Sequence, residues 1–445
     1  MHFQTRKLNG ELNLEKLHQF NPERYPFLLK STAAGPLGNF DILFAFPEKT
    51  LEKHAEDSDY NFLDELHTWW QQEKLETNID NQDWPFTGGW FVYLSYELAA
   101  EIEPVLDLPS LPMGEPIAMA VRCPAAVIYD HDKQQFTAIA ETESREVLDQ
   151  IDSDAVEANK LADIADTAIT IHQVEEADEQ PYLQQVETVK QYIVDGDIFQ
   201  ANLSRPWQLD IDDNVSDVTI FNRLANANPG SFAVLAKLPN STVISSSPER
   251  LVSVHDKSIQ TRPIAGTRPR SDNASEDSAL ASELMAHPKE QAEHIMLIDL
   301  ERNDLGRICI PGSIRVNELM TLESYQHVHH IVSNVTGLIR DDVSPADVIR
   351  AVFPGGTITG CPKVRCMQIL AELEQQPRGA YTGSIGYINR NGDMDLNILI
   401  RTLVRRGSEI SFRAGGGIVA DSDPVHELNE TRAKAKGLLR AFGIN

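Results

Sequence analysis

Cysteine is scarce in this sequence, with four residues in a chain of 445. Cys123, Cys309, Cys361 and Cys366 do not have the paired spacing of a zinc site, and four cysteines are too few for a disulfide scaffold in a chain of this length. The sequence therefore predicts reduced thiols, which are typical of a cytoplasmic protein.

Long apolar runs and an excess of basic residues are also absent. No apolar segment approaches the roughly 20 residues that a membrane span needs, and the polar N-terminus carries no export signal. The 39 Lys and Arg residues against 67 Asp and Glu residues give a formal net charge of -28. Such a charge repels phosphate backbones and anionic lipid surfaces. These features predict that the protein binds neither nucleic acid nor a membrane.

An acidic, alanine-rich stretch divides the chain. Residues 141–180 contain few large apolar residues, which predicts a helix and then a linker, with a boundary near residues 165–180. The sequence thus falls into an N-terminal region, residues 1–165, and a second region, residues 180–445. A chain of 445 residues is long enough for two ordinary domains or for one large core with a smaller one attached.

Hydrophobic patterns predict several elements in the N-terminal region. They favour a pair of strands within residues 27–45 and a helix at residues 62–75. An aromatic-rich strand is expected after Gly89, and another strand at residues 118–129.

Similar patterns predict the elements of the second region. Helices are expected to begin near residues 182, 290 and 364, and strands at residues 381–388 and 396–405 are joined by a hairpin signal. The last helix is predicted to run to Phe442, with Ser422 or Asp423 as its N-cap, because Pro424 suits a first turn and Gly443 suits a helix end.

Four arginines surround one acid in an otherwise acidic chain. Glu249 lies close in sequence to these cations, which are Arg250, Arg262, Arg268 and Arg270. Arginine forks suit carboxylates, so a carboxylate ligand is one interpretation. Surface arginines that pair with some of the many acids are the other.

Two predicted helices each carry a pair of glutamates three residues apart. Glu290 and Glu293 form one pair, and Glu427 and Glu430 form the other. Together they offer four ligands for a hard divalent cation such as Mg2+, which prefers carboxylates and water. The alternative is structural, since acids favour the first turn of a helix and Glu430 can pair with Lys434.

Two glycine-rich segments could bind an anion through backbone amides. Residues 355–363 fail the nucleotide pattern, because Pro362 precedes the lysine and neither Ser nor Thr follows it. Residues 415–417 are the second segment. Both segments are equally compatible with tight structural turns.

His330 and Arg401 lie in apolar surroundings. The ordinary pKa of a histidine suits a general acid, although a lone histidine in an apolar strand is also typical of a hydrogen-bonded core residue. A buried guanidinium requires an anion, which either a substrate carboxylate or a structural Glu or Asp would supply.

Taken together, these segments resemble the chorismate-utilising enzymes. That family comprises anthranilate synthase component I, aminodeoxychorismate synthase component I, and the isochorismate and salicylate synthases. The motifs stand in family order at residues 247–250, 260–267, 293–300 with 302–304, 354–363, and 415–421 with Glu430. The resemblance runs through residues 181–442 and extends more loosely over residues 21–130. It implies an α+β fold, with two large antiparallel β-sheets packed as a sandwich, helices outside, and the site in a cleft between the sheets.

The resemblance also implies a magnesium site. Glu293 and Glu430 would bind Mg2+, with Glu290 and Glu427 supporting the ion through water. The ion would hold the ring carboxylate of chorismate.

Further substrate contacts follow from the same resemblance. The ring carboxylate would lie beside Thr357, the Gly415 amide and Lys434, and the enolpyruvyl carboxylate beside Arg401 and Tyr381. The reacting groups would be His330, which protonates the departing C4 hydroxyl, and Glu249, which lies near the incoming amine.

Two positions bear on the reaction within the family. The isomerases carry a water-activating lysine where this chain has Gln200, so ammonia is the expected nucleophile. Several motifs, including residues 383–387, resemble aminodeoxychorismate synthase, which aminates chorismate at C4. Ala265 stands where the better-known members of that group have a lysine, and in this it resembles anthranilate synthase. Anthranilate synthase, which aminates C2 and releases pyruvate, is therefore the alternative.

The chain shows no Cys-His glutaminase signature. Ammonia derived from glutamine would therefore come from a glutamine amidotransferase subunit. Lys30 follows Leu28 and Leu29 where the tryptophan-feedback motif of anthranilate synthase has Glu, so that regulatory site is not expected in its usual form. A third hypothesis is a non-catalytic binder of chorismate or tryptophan, which would not need Glu249 and His330 together with the metal ligands.

Overall fold

The computed structural model describes residues 2–8, 10–33, 38–57, 60–75, 84–164, 168–271, 273–324 and 328–444. The strands of these residues, in chain order, are Phe3–Lys7 (β1), Phe27–Lys30 (β2), Phe40–Ala45 (β3), Thr50–Lys53 (β4), Gly89–Leu94 (β5), Ala118–Cys123 (β6), Ala125–Asp130 (β7), Gln135–Glu141 (β8), Ile171–Glu176 (β9), Gln200–Ile211 (β10), Phe232–Lys237 (β11), Thr242–Ser247 (β12), Arg250–His255 (β13), Ser258–Thr261 (β14), Ile264–Pro269 (β15), Arg315–Ser324 (β16), Val328–Leu338 (β17), Gly360–Cys361 (β18), Ser384–Asn389 (β19), Met394–Asn397 (β20), Thr402–Arg406 (β21) and Glu409–Ile418 (β22). The α-helices are Leu14–Phe20 (α1), Phe62–Glu73 (α2), Ala99–Ile102 (α3), Val147–Ala158 (α4), Glu179–Val194 (α5), Asp217–Ala227 (α6), Ala274–Ala286 (α7), Pro288–Gly306 (α8), Pro345–Val352 (α9), Lys363–Glu374 (α10) and Pro424–Leu439 (α11).

The strands form two antiparallel sheets. The 12-stranded sheet has the order β1-β8-β7-β3-β2-β11-β12-β21-β22-β10-β18, and β9 also pairs with β10. The 10-stranded sheet has the order β15-β17-β14-β13-β20-β19-β5-β6-β4, and β16 also pairs with β17. These sheets confirm the predicted α+β class.

A core of aromatic and aliphatic side chains fills the space between the sheets. Phe27 from the larger sheet stacks on Phe91 from the smaller one, with ring centroids 3.8 Å apart. Separate apolar clusters pack α1, α4, α6 and α11 on the outer face of the larger sheet, and α2, α8 and α9 on the smaller. The sandwich with helices outside is therefore confirmed.

Three sequence predictions about strands were wrong. The strand predicted at residues 118–129 is two strands, β6 and β7, and they belong to different sheets because Pro124 separates them. The strand predicted at residues 396–405 is likewise β20 and β21, one in each sheet. The linker predicted after α4 contains β9, which pairs along β10.

Strands from both predicted regions share each sheet. In the larger sheet β2 pairs with β11, and in the smaller one β5 pairs with β19. Residue 165 itself lies outside the described residues, and the division into residues 1–165 and 180–445 stays a prediction. Among the described residues, none of the helices is long and apolar enough to cross a membrane.

Candidate active site

Glu249 and Arg401 lie where two neighbouring connections pass from one sheet to the other. β12 pairs with β21 in the larger sheet, and their continuations β13 and β20 pair in the smaller sheet. The Ile398 amide donates to the Glu249 carbonyl at 3.0 Å, and the Ser246 amide donates to the Arg401 carbonyl at 3.1 Å. The acid and the guanidinium therefore project from adjoining backbones at the corner of the sandwich.

The Glu249 carboxylate is buried, with 6% of the residue exposed. It accepts a hydrogen bond of 2.7 Å from the Thr357 hydroxyl, which lies in the single helical turn Gly356–Ile358. Burial raises the pKa of Glu249 to about 7, and the Thr357 hydrogen bond and the charge of Arg401 only partly oppose that rise. At neutral pH, Glu249 is populated in both its ionised and its protonated form, which suits proton transfer.

Arg401 immediately precedes β21 rather than lying in the middle of a strand, and its φ is 52°. Its Nη1 donates to Asn228 Oδ1 at 3.2 Å. Burial lowers the pKa of the guanidinium and the charge of Glu249 raises it, but an arginine keeps its charge in a protein. In the described part of the chain, no carboxylate lies within 4.0 Å of this guanidinium. Several of its N–H donors are thus available to an anion.

His330 lies on β17, next to the strand that carries Ala265. Its Nδ1 is 3.0 Å from Thr267 Oγ1 and 3.4 Å from the Gly266 carbonyl oxygen. Burial, followed by the charge of Arg401, lowers the pKa of His330 to about 4, so the imidazole is neutral at pH 7. Ala265 is paired with Ile331 and is 8% exposed. Ala265 therefore lies on β15 beside the segment of β17 that carries His330.

The first turn of α8 packs against this part of β15. Glu290 Oε1 accepts a hydrogen bond of 3.4 Å from Arg268 Nη1. A Cβ atom on Gly266 would lie 2.8 Å from Glu290 Oε2, and φ at Gly266 is 63°, so a side chain at this position would be strained. Glu293 follows on the same helix and is half-buried. The α8 glutamates thus lie on the Ala265 and His330 side of the site.

The first turns of α11 hold a compact group of possible ligands. Single atoms of His426, Glu427 and Glu430 all lie within 4.8 Å of one another. The Lys434 Nζ atom is 2.8 Å from Glu430 Oε1 and donates to the Gly415 carbonyl at 2.8 Å. Two carboxylates one turn apart suit a hard divalent cation. His426 was not predicted as a possible ligand from the sequence. Its position next to Glu427 in the first turn of a predicted helix was the signal that could have identified it.

The two glutamate pairs do not merge into a single group in the described structure. Neither Glu290 nor Glu293 joins His426, Glu427 and Glu430 within that distance. The glutamates of α8 and α11 therefore do not form one group of ligands in the described structure.

The glycines at residues 415–417 belong to β22 and do not form the turn that was one of the two interpretations. Gly415 is opposite Ser204 of β10, and the pairing of β22 with β21 ends at Phe412. The Gly415 carbonyl accepts a hydrogen bond from Lys434 on the side of β22 that has no neighbouring strand at this position. The N–H and C=O groups of one residue in a strand point to the same side, so the Gly415 amide also points to that open side. A Cβ atom on Gly415 would lie 2.8 Å from the Tyr381 hydroxyl. Glycine therefore allows Tyr381 to approach this strand.

Gln200 begins β10 and is 9% exposed. Its carboxamide nitrogen lies against the backbone of Gly417, where any side chain would clash with it. Gln200 Oε1 has no hydrogen-bond partner among the described residues. The side chain carries no group that could deprotonate water at neutral pH.

Ion pairs explain the arginines near Glu249 in sequence. Each of the four contacts an acid, and these pairs are Arg250 with Asp395, Arg262 with Glu318 and Glu323, Arg268 with Glu283 and Glu290, and Arg270 with Asp277. The pairing with acids is confirmed, but Arg250 and Arg262 are not surface residues, since their side chains are each 12% exposed. The cation beside Glu249 is Arg401, which comes from a distant part of the sequence.

The cavity near Leu29 and Lys30 is separate from this group of side chains. It has a volume of about 250 Å3, lies between the sheets, and is lined by Phe40, Phe232 and Arg250 among others, but not by Glu249 or Arg401. Lys30 donates to Glu15 Oε1 at 2.6 Å. A cation thus stands where the feedback motif of anthranilate synthase has an acid.

The sequence matches the family model of chorismate binding enzymes over residues 25–440. The chain belongs to this family. It is 38% identical over 453 residues to aminodeoxychorismate synthase component 1 from Bacillus subtilis, covering 97% of this chain and 95% of the relative. It is 39% identical over 414 residues to an anthranilate synthase component I-like protein from Synechocystis, covering 91% and 83%.

A solved structure confirms the family fold. Anthranilate synthase component I from Streptococcus pneumoniae superposes with a TM-score of 0.79 at 29% identity, covering 91% of this chain and 93% of that one. The family membership identifies the chain as a chorismate-utilising enzyme. The predicted resemblance is therefore confirmed at the level of family and fold.

Proposed function

We propose that this enzyme is aminodeoxychorismate synthase component I. It would aminate chorismate at C4 and yield 4-amino-4-deoxychorismate for para-aminobenzoate and folate synthesis. The proposal rests on one observation above all, the corner where the buried Glu249 carboxylate lies beside Arg401, whose guanidinium has no carboxylate within 4.0 Å in the described structure.

Charge supports chorismate as the ligand of this corner. Chorismate is a dianion, and a protein with a formal net charge of -28 repels it at long range. Binding then requires local cations with free donors. Arg401 and Tyr381 would hold the enolpyruvyl carboxylate, and Thr357, the Gly415 amide and Lys434 would hold the ring carboxylate.

Amination requires two proton transfers, which Glu249 and His330 would carry out. Ammonia forms a bond to C4 and becomes an ammonium group, which passes one proton to Glu249. The C4 hydroxyl leaves with one proton from His330 as water. His330 is neutral in the free protein, and the two charges of bound chorismate raise its pKa and favour the imidazolium that donates.

Ammonia, rather than water, is the proposed nucleophile. Gln200 offers a carboxamide where water attack would need a base, and Ala265 offers a methyl group where other members have a nucleophilic amine. The reaction would therefore proceed without a covalent bond between the enzyme and chorismate.

Mg2+ is the proposed cofactor, and the donor set fits it. The oxygens of Glu427 and Glu430 lie in one group, and the Lys434 ammonium beside Glu430 is a cation at the same place. Glu293 and Glu430 would hold the ion, with Glu290 and Glu427 bound through water. The ion would supply positive charge that holds and polarises the ring carboxylate.

The choice of C4 rests on two observations. The similarity to the Bacillus subtilis aminodeoxychorismate synthase component extends over nearly the whole of both chains, and Lys30 pairs with Glu15 where the feedback motif of anthranilate synthase has an acid. The second candidate is anthranilate synthase component I. Ala265 and the similarity to the Streptococcus pneumoniae structure favour that candidate.

A glutamine amidotransferase subunit is the proposed source of ammonia. Among the described cysteines, Cys123, Cys309 and Cys366 are buried, and burial raises the pKa of each thiol above its ordinary value. Such thiols are poor nucleophiles. Free ammonium would replace the partner in vitro.

Product analysis tests the proposal. The purified chain is incubated with chorismate, Mg2+ and ammonium, and pyruvate and fluorescence are followed. We expect chorismate to be consumed while its enolpyruvyl group is retained. Stoichiometric pyruvate with a fluorescent aromatic product would establish anthranilate synthase instead, and no consumption of chorismate with either ammonium or an amidotransferase would leave only a binding role.

A further inference from the structure

A second group of buried charges lies behind Glu249, and the proposed reaction does not use it. Glu301 and Asp304 of α8 are 7% and 2% exposed. Asp304 pairs with Lys363 Nζ at 2.5 Å, and that nitrogen also donates to the Val352 carbonyl at 3.2 Å. Lys363 thus forms its ion pair with Asp304, and among the described residues Glu301 forms no ion pair of its own.

Packing connects Glu301 to the turn that holds Glu249. A Cβ atom on Gly356 would lie 3.6 Å from Glu301 Oε1 and closer still to Leu300. The next residue, Thr357, donates its hydroxyl proton to Glu249. Glu301 and Glu249 therefore both lie against the turn Gly356–Ile358, close enough for the charge of Glu249 to act on Glu301.

Counting the charges shows an excess of acid. Three carboxylates, Glu249, Glu301 and Asp304, face the cations Lys363 and Arg401. Arg307 also faces Asp304, but its side chain is 51% exposed and water weakens its effect. Burial and the neighbouring acids Asp304 and Glu249 raise the pKa of Glu301, and the charge of Lys363 only partly opposes that rise. An unbalanced buried charge is costly, and protonation of one carboxylate removes that cost.

We propose that Glu301 is a positioning residue that stores one proton behind Glu249, so that chorismate binds beside one ionised carboxylate and not two. The inference rests on the proposed function, which places Glu249 at the chorismate site. With Glu301 neutral, Glu249 can ionise and accept a proton. Ionisation of both acids adds a negative charge beside a dianionic ligand and weakens its binding.

Direct binding of chorismate tests this role without turnover. Affinity is measured by calorimetry between pH 7.5 and pH 9 with Mg2+ present and ammonium absent. We expect the wild-type chain to bind about tenfold more weakly at pH 9, since one additional charge nearby repels the ligand. In Glu301→Gln, the affinity should stay within about twofold over the same range, because glutamine cannot ionise.

A matched control separates this effect from net charge. Asp299 lies on the same helix, and its side chain is 65% exposed. Asp299→Asn removes the same charge from α8, and we expect it to keep the wild-type loss of affinity at pH 9. A loss of affinity in Glu301→Gln equal to that of the wild type would overturn the proposal.

Proton uptake gives a second test, made on the wild type and on Glu301→Gln, because His330 can also take up a proton when chorismate binds. Calorimetry at pH 8.5 in two buffers with different ionisation enthalpies gives the number of protons bound with chorismate. We expect the wild type to take up a measurable fraction of a proton more for each chorismate than Glu301→Gln does, and equal uptake by the two chains would overturn the proposal. Neither measurement depends on the product, so release of pyruvate would change the proposed function and leave this inference standing.

Discussion

Glu249 has little to offset its burial beyond the Thr357 hydroxyl and the charge of Arg401. A carboxylate in such a place is unstable as an anion and useful as a base for the same reason. The residues of the site illustrate a general relation, in which a protein gives up some stability to keep a reactive group in a dry environment.

Glu249→Gln tests the role of this acid as a base. We expect the rate of amination at saturating ammonium to fall by about 10²- to 10⁴-fold, the usual contribution of a general base. The wild-type rate should rise with pH through about 7, because the ionised form is the active one. Glu372→Gln, at an exposed acid of α10, serves as control and should keep the wild-type rate. A variant at Glu249 with a normal rate would contradict the assignment.

The free energy of unfolding should change with pH in the opposite direction to the rate. The pKa of Glu249 is about 7 in the folded chain and near its ordinary value in the unfolded chain. Between about pH 4.5 and pH 7, the unfolded state therefore ionises first, and the wild type loses stability as the pH rises. We expect Glu249→Gln to be more stable than the wild type by about 2–3 kcal/mol at pH 8 and by little at pH 4.5. Denaturant unfolding at the two pH values measures this difference, and an equal difference at both would exclude the raised pKa.

Sequence motifs pointed to Glu249, His330 and Arg401 but not to what surrounds them. The pairing of Arg401 with Asn228, and the burial that lowers the pKa of His330, depend on residues far apart in the chain. Glu301 was missed, because an acid within a helix gives no sign in the sequence that it will be buried.

At the scale of elements, α11 is the helix that the sequence predicted best. Asp423 caps it by accepting from the His426 amide at 2.8 Å, and Pro424 occupies the first turn. Capping fixes the start of the helix and therefore the positions of Glu427 and Glu430. Local signals suffice here, since cap, first turn and apolar face all lie within one segment.

Glu430→Gln tests whether α11 holds the proposed ion. The Glu430 side chain is 40% exposed and pairs with Lys434 one turn away, so its removal should change stability by less than about 1 kcal/mol. We expect Mg2+ affinity to fall by at least about tenfold, because one of the few protein ligands loses its charge. Calorimetric titration of Mg2+ measures this, with Glu187→Gln at an exposed acid of α5 as control. Unchanged affinity in Glu430→Gln would exclude this ligand.

Strands were harder to predict than α11. The apolar pattern continues through residues 118–129 and 396–405 because both sheets bury their strands, so the crossing from one sheet to the other leaves little trace. Pro124 marks the first crossing. The second crossing ends at Arg401, which has a positive φ. The residue type gives no indication of this backbone conformation, because arginine rarely adopts it.

On the scale of the whole molecule, both sheets are built from the N-terminal and C-terminal parts of the chain. The fold class could be predicted from the family resemblance, whereas the strand order depends on pairings between residues more than 200 positions apart, such as β2 with β11. Periodicity within a segment contains no information on such partners.

This interleaving predicts that the two regions do not fold apart. A fragment of residues 180–445 would lack β2, which pairs with β11, and β5, which pairs with β19, and would expose the apolar face that packs on Phe27 and Phe91. We expect it to show no cooperative unfolding transition alone and to recover one when co-expressed with residues 1–165. Circular dichroism during thermal denaturation measures this. A cooperative transition in the isolated fragment would show that the regions are independent.

The corner formed by β12–β13 and β20–β21 has a further consequence. Glu249 and Arg401 both lie where the chain passes from one sheet to the other. The distance between the carboxylate and the guanidinium therefore depends on the angle between the two sheets. Core substitutions that tilt one sheet against the other would change this distance and lower the rate, although none of them replaces a side chain of the site.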